Sequence, residues 1–232
     1  MVEWRFLMTG ISAMKWVHHT IIMSAILGFF IWLAWAPPSS QRGVYFPWQI
    51  TLLEGGDSQV FGLTLGKSTL ADVIKLHQDH SVAIFYKPGN ALRLEAYLPN
   101  FKSGPLIAKL IAEIDVDNSL LEKTYETYEV HRKPIDDQGF KVELSSSSIP
   151  ELLTAKIISL SYSPKANLDE ALLLKHFGTP DSKIAESDNI SHWLYPKKGL
   201  SIAYSLKGKE LFQYLPPKNF DRMIKKLEIN NP

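Results

Sequence analysis

The chain contains no cysteine. That excludes thiol catalysis, cysteine-held zinc and a cysteine-linked lipid anchor. A chain of 232 residues can bury a sufficient core without disulfides, so nothing structural is lost. An excess of charge is missing too. The first 36 residues hold only Arg5, Lys15 and Glu3, and the remaining 23 basic and 23 acidic side chains balance. A nucleic-acid surface needs a basic excess to neutralise phosphates, so no nucleic-acid partner is expected.

The usual signatures of catalysis are equally scarce. There is no Gly-x-Ser-x-Gly for a serine nucleophile, and Ser145 to Ser148 reads as a polar loop. Gly55-Gly56 does not lead into a helix carrying Lys-Ser/Thr, so it is no phosphate cradle. Asp136-Asp137 before Gly139 is a turn without the other oxygen ligands of a calcium loop. His77-x-x-His80 has ligand spacing but no third donor at a telling distance. It reads as surface histidines, as do His176 and His192. Glu122, Glu126 and Glu129 form a solvated helix edge. No catalytic residue, metal site or cofactor is expected.

What the chain does have is one long apolar run, Thr20 to Ala36, without a single charge. In a helix, its 17 residues span about 25 Å, and Trp16 and Val17 bring it close to the ~20 residues a bilayer requires. Arg5 and Lys15 precede it, which favours residues 1–19 in the cytoplasm. Ala34-Trp35-Ala36 has the small-x-small form of a cleavage site, but Pro37 follows, where signal peptidases generally reject proline. Residues 20–36 are therefore expected to be a permanent single-pass anchor and 37–44 a short linker. Tyr45, Phe46 and Trp48 fit either an aromatic belt at the membrane surface or the start of the folded domain.

Beyond the linker the pattern is mixed α+β. Thr69 with Asp72 reads as a capping box ahead of the helical face of Leu70, Val73, Ile74 and Leu76. Ser81–Tyr86 and Ala91–Leu98 read as strands around Lys87-Pro88-Gly89-Asn90, and Pro105–Val116 as another strand. A helix capped by Asn118 covers Ser119–Tyr128, and Gly139–Leu144 is a strand. Ile157–Tyr162 is strand-like, and Asn167 with Glu170 repeats the capping box before a helix ending at Gly178. His192–Tyr195, Leu200–Leu206 and Lys209–Tyr214 are further strands, and Phe220–Ile229 an amphipathic helix or frayed tail.

The two capped stretches correspond at a spacing of 98 residues, with Leu70 matching Leu168 and Ile74 matching Leu172. The expected fold is thus α+β: the transmembrane helix, then two small helix-on-antiparallel-sheet units, a possible tandem repeat, over 45–156 and 157–232. Trp193, Tyr195, Tyr204, Phe212 and Tyr214 fall on short strands of the second unit. One parity set is expected under the helix, the other on a partly exposed aromatic face suited to a partner.

Leu168, Leu172, Phe177-Gly178-Thr179-Pro180, His192-Trp193-Leu194-Tyr195-Pro196 and Gly199-Leu200 carry a resemblance. Over about 50 residues the chain resembles the small α+β domain of the outer-membrane assembly lipoproteins (SmpA/OmlA, the BamE subunit). It is similar also to the tandem units of the β-lactamase inhibitor protein. The first unit has Gln78-Asp79-His80 where the second has Phe177-Gly178. The lipid-anchor cysteine of those lipoproteins is absent and the apolar run takes its place. The resemblance implies a non-catalytic module binding other envelope proteins, here at the bacterial inner membrane with its C-terminal domain in the periplasm. An envelope hydrolase or metal-dependent enzyme, and a lipid-handling protein with an apolar pocket between helix and sheet, are the alternatives.

Overall fold

In the computed structural model, the described residues are 45–87, 89, 91–135 and 139–230. The apolar run, the linker and the Asp136-Asp137 turn lie outside them. Among the described residues no helix is long and apolar enough to cross a membrane.

The chain is α+β, built on a large antiparallel sheet. It first forms a three-stranded sheet of β1 (Ile50–Leu53), β2 (Asp57–Val60) and β3 (Leu63–Thr64). Helix α1 (Leu70–Leu76) follows, then strands β4 (Ser81–Tyr86), β5 (Arg93–Ser103) and β6 (Leu106–Asp115). Helix α2 (Asn118–Tyr128) leads to β7 (Lys133–Pro134), β8 (Phe140–Glu143) and β9 (Lys156–Pro164). Helix α3 (Glu170–Phe177) precedes β10 (Ser182–Ser187), β11 (Ile190–Tyr195), β12 (Leu200–Ser205) and β13 (Leu211–Tyr214). The described chain closes with α4 (Asp221–Asn230).

Ten strands join in one sheet of order β10-β11-β12-β13-β9-β6-β5-β4-β8-β7. Strand β9 lies between β13 and β6, so both halves of the chain share one ladder. Register sets the two faces. Val82, Ala96, Ala112, Leu160, Tyr214, Leu200 and Tyr195 stand opposite one another across seven strands, and all are buried. A second row runs Leu98, Leu110, Tyr162, Phe212, Ile202 and Trp193. These rows belong to one core with Leu70 and Val73 of α1, Leu173 and Phe177 of α3, and Phe61 of the small sheet. Phe61 brings its ring within 5.1 Å of Phe101 and 5.2 Å of Tyr162, which seats the small sheet on this face.

Local chemistry starts the helices. The Thr69 N–H donates to Asp72 Oδ2 at 2.9 Å, the reciprocal bond of a capping box, and the Thr69 hydroxyl donates to the same oxygen at 3.1 Å. The cap of α2 is Asp117, not Asn118: its carboxylate accepts from the N–H groups of Ser119 and Leu120. The cap of α3 is Asp169, whose Oδ1 accepts from Leu172 N at 2.7 Å, not Asn167. Between the two, Leu168 is buried and its N–H donates to Glu210 Oε2 at 3.1 Å, so the chain is tied to the core just before Asp169. By their caps the helices correspond at a spacing of 100, which matches Val73 to Leu173, both buried.

Tyr45 to Trp48 begin the folded domain. Ser103 Oγ donates to Tyr45 O, buried Tyr214 OH donates to Pro47 O, and Trp48 stacks on His176 with centroids 3.8 Å apart.

The far edge of the sheet ends in two-residue β7, where Pro134 removes a ladder donor and blunts the edge. Here Lys133 and Lys141 place their ammonium groups 2.7 and 2.8 Å from Glu143. Lys133 first, then Lys141, holds the Glu143 carboxyl down from 4.5 to about 2. A folded-state pKa below the unfolded one gives stability that is present above pH 4.5 and lost as pH falls toward 2. The carboxylate is 40% exposed, so water screens the pair and the net contribution is about 0.5–1 kcal/mol. Glu143→Gln should therefore be less stable by that amount at pH 7. Denaturant titrations of both proteins should converge as the pH falls through about 2; a deficit of undiminished size there would show that the loss is not ionic.

Candidate functional site

The expected aromatic partner face is not on the surface. Trp193, Tyr195, Phe212 and Tyr214 are each no more than 2% exposed. The reason is register: Trp193 faces Ile202, which faces Phe212, so both parity sets point into the same core. Phe177 packs its ring 5.7 Å from Phe212 and 6.1 Å from Tyr195. The layer between α3 and the sheet is thus filled by aromatic rings. Burial raises the Tyr195 hydroxyl to about 12 and holds that of Tyr214 well above its ordinary value.

Only Tyr204 keeps partial exposure, 5.1 Å from the Trp193 ring. It borders a shallow hollow with Lys183, whose ammonium lies 3.9 Å from the Trp193 ring centroid and 3.5 Å from Glu170. That cation already closes the indole face.

The histidines do not converge on one centre. The His77 ring bonds the backbone of Asp79, the His80 ring bonds the His77 carbonyl, His176 stacks on Trp48, and His192 Nε2 lies 2.7 Å from Glu186 Oε2. Among the described residues no cluster of three or more His, Cys, Asp or Glu side chains is placed to hold a metal ion.

The opposite face of the sheet is different. Over β5, β6, β9 and β13 it carries polar Arg93, Glu95, Glu113, Ser159, Ser161 and Gln213 alongside Ile111 and Ile158. They floor a groove of about 290 Å³ walled on one side by Asn219, Arg222 and Met223 at the start of α4. Glu95 and Glu113 are directly opposed across β5 and β6, a pairing of like charges that a sheet ordinarily disfavours. Neighbours offset the repulsion. Arg93 Nη2 reaches to 3.8 Å of Glu95 Oε1, and Ser159 Oγ donates to Glu113 Oε2 at 2.8 Å. A bulge between Glu113 and Ile114 leaves Ile158 as an extra residue on β9, and Ile158 also lines the groove.

Two carboxylates and two guanidiniums thus sit in one concavity, three of them on the ladder of a wide sheet. That arrangement can read a charged surface, since Arg offers a planar donor fork and Glu an acceptor pair. Among the described residues no histidine lines it, and the Ser159 proton is given to Glu113. Sequence reading missed this groove. The alternation of β5 was visible, but not that Glu95 would face Glu113.

No family model matches the chain, and no curated protein or solved structure matches it.

Proposed function

We propose that the chain is a membrane-anchored periplasmic module that binds an envelope protein and performs no catalysis itself. The observation carrying this reading is the groove on the sheet face opposite the main core, with the charges of Arg93, Glu95, Glu113 and Arg222 around it. Fixed charges of both signs on ladder-bonded strands favour a protein surface over an apolar ligand. The apolar run 20–36 supplies the anchor, and the BamE-like resemblance of 157–216 supplies the expectation of an envelope partner.

The same reading takes 45–156 and 157–232 as two related units fused along one sheet. In support, α1 is followed by the meander β4-β5-β6 and α3 by the meander β10-β11-β12-β13. Each helix buries the residue four beyond its cap, Val73 or Leu173.

The test uses the full chain in mild detergent. A reproducible envelope protein should copurify with it, and the double variant Glu113→Lys with Arg93→Glu, both on the sheet itself, should recover at least about tenfold less, the scale of losing a close charge pair. Wild-type protein that recovers no reproducible partner would overturn the proposal. So would a double variant that recovers it undiminished.

A further inference from the structure

Helix α4 packs on the same sheet face as the groove, through contacts of its own. Phe220, Met223 and Leu227 rest on Leu194 of β11, with Ile184 and Leu215 beside them. This cluster is separate from the main core, which lies on the other face. The footprint is a poor match for an apolar helix. Ser201 is the cross-strand partner of Leu194, and His192 lies two residues along β11, so both share that face. Ser201 is fully buried and His192 is 6% exposed, yet Ser201 Oγ and His192 Nδ1 have no hydrogen-bond partner. Covering unpaired polar atoms opposes the apolar contact that holds the helix down.

The groove runs into this footprint. Ile111, Ser161, Gln213, Ser201 and Leu194 stand opposite one another in a single row from β6 to β11. The first three belong to the groove, Leu194 belongs to the α4 cluster, and Ser201 stands between them. Just before α4 the chain is pinned: Lys218 Nζ lies 2.5 Å from Asp57 Oδ1, and Lys67 Nζ lies 3.0 Å from Oδ2 of the same buried carboxylate. A fixed point at Lys218 lets the helix beyond it leave without disturbing β13 or the small sheet.

We propose that α4 is a displaceable strap, and that its release extends the groove floor from β13 across β12 to β11. The opening belongs to this chain alone. Its use, admitting a partner along the lengthened face, rests on the partner-binding reading above.

The absence of cysteine makes the opening measurable, because one introduced thiol is the only one present. Met223→Cys places it beneath α4 and Leu173→Cys beneath α3, both at buried positions. With a water-soluble aromatic disulfide reagent and the full chain in detergent, the Met223→Cys thiol should react about 100-fold faster, as expected of a low-stability local opening. Rates within about threefold of each other would overturn the strap. Amide hydrogen exchange on the wild-type protein makes the same distinction if a variant fails to fold. The α4 amides should exchange well before those of β6, and equal protection would refute the proposal. Both measurements are made without a partner, so their failure leaves the binding reading intact, and a failed copurification leaves the strap standing.

Discussion

Replacing Trp193 by alanine should cost about 3–5 kcal/mol of folding stability, the range for emptying a buried aromatic site. The indole is 1% exposed between Ile202 on the next strand and the Lys183 ammonium above its ring. Its Nε1 donates to Ser191 Oγ at 3.1 Å. Nothing nearby can collapse into the space easily, because β12 and β10 hold both flanks in register. Tyr204→Ala, at a half-exposed ring 5.1 Å away, should cost only about 1 kcal/mol, a common loss outside the core. Urea unfolding of the two variants tests this. A partner contact at Trp193 would give the reverse pattern, with stability kept and partner recovery lost.

The same residue shows where sequence reading stops. Period-two alternation correctly paired Trp193 with Tyr195 and Phe212 with Tyr214 on their own strands. It could not say that β12 would stand between them and bring both pairs to one face, since that depends on register between strands. It also gave no sign that α4 would bury Leu194 from the other side. Polar β10 was not read as a strand at all, because Ser182 to Ser187 has almost no β-branched or aromatic residue to mark it. Short-range signals fared better. Thr69 and Asp72 are three residues apart, and their reciprocal bonds need no tertiary partner. Asn167 and Asp169 were both competent caps, and the tie of Leu168 to Glu210 between them is tertiary. The groove sits at the far end of this scale: Glu95 meets Glu113 only because the β5–β6 hairpin carries a bulge between Leu98 and Phe101.

Gly199→Ala should be nearly as damaging as the loss of Trp193, at about 4 kcal/mol, although it adds a single methyl group. Gly199 ends the turn between β11 and β12 with φ 63° and ψ 35°, a left-handed conformation that side chains resist. A Cβ there would lie 2.0 Å from Leu215 O and 3.0 Å from Pro217 Cδ. Leu215 cannot retreat freely, because its N–H donates to Gly199 O at 2.8 Å and Pro216 and Pro217 stiffen the chain beyond it. Gly55 is the control. Its φ of 78° and ψ of 13° are also left-handed, but a Cβ would meet nothing within 4 Å, so Gly55→Ala should cost only about 1 kcal/mol of backbone strain. The difference between the two, read by urea unfolding, isolates the close approach of Leu215; equal losses would show that the backbone angle alone matters. Leu215 itself lines the groove, so displacing it reshapes that wall whether or not α4 is seated. Gly199→Ala should therefore reduce partner recovery even at temperatures where it is still folded, whereas Gly55→Ala should not.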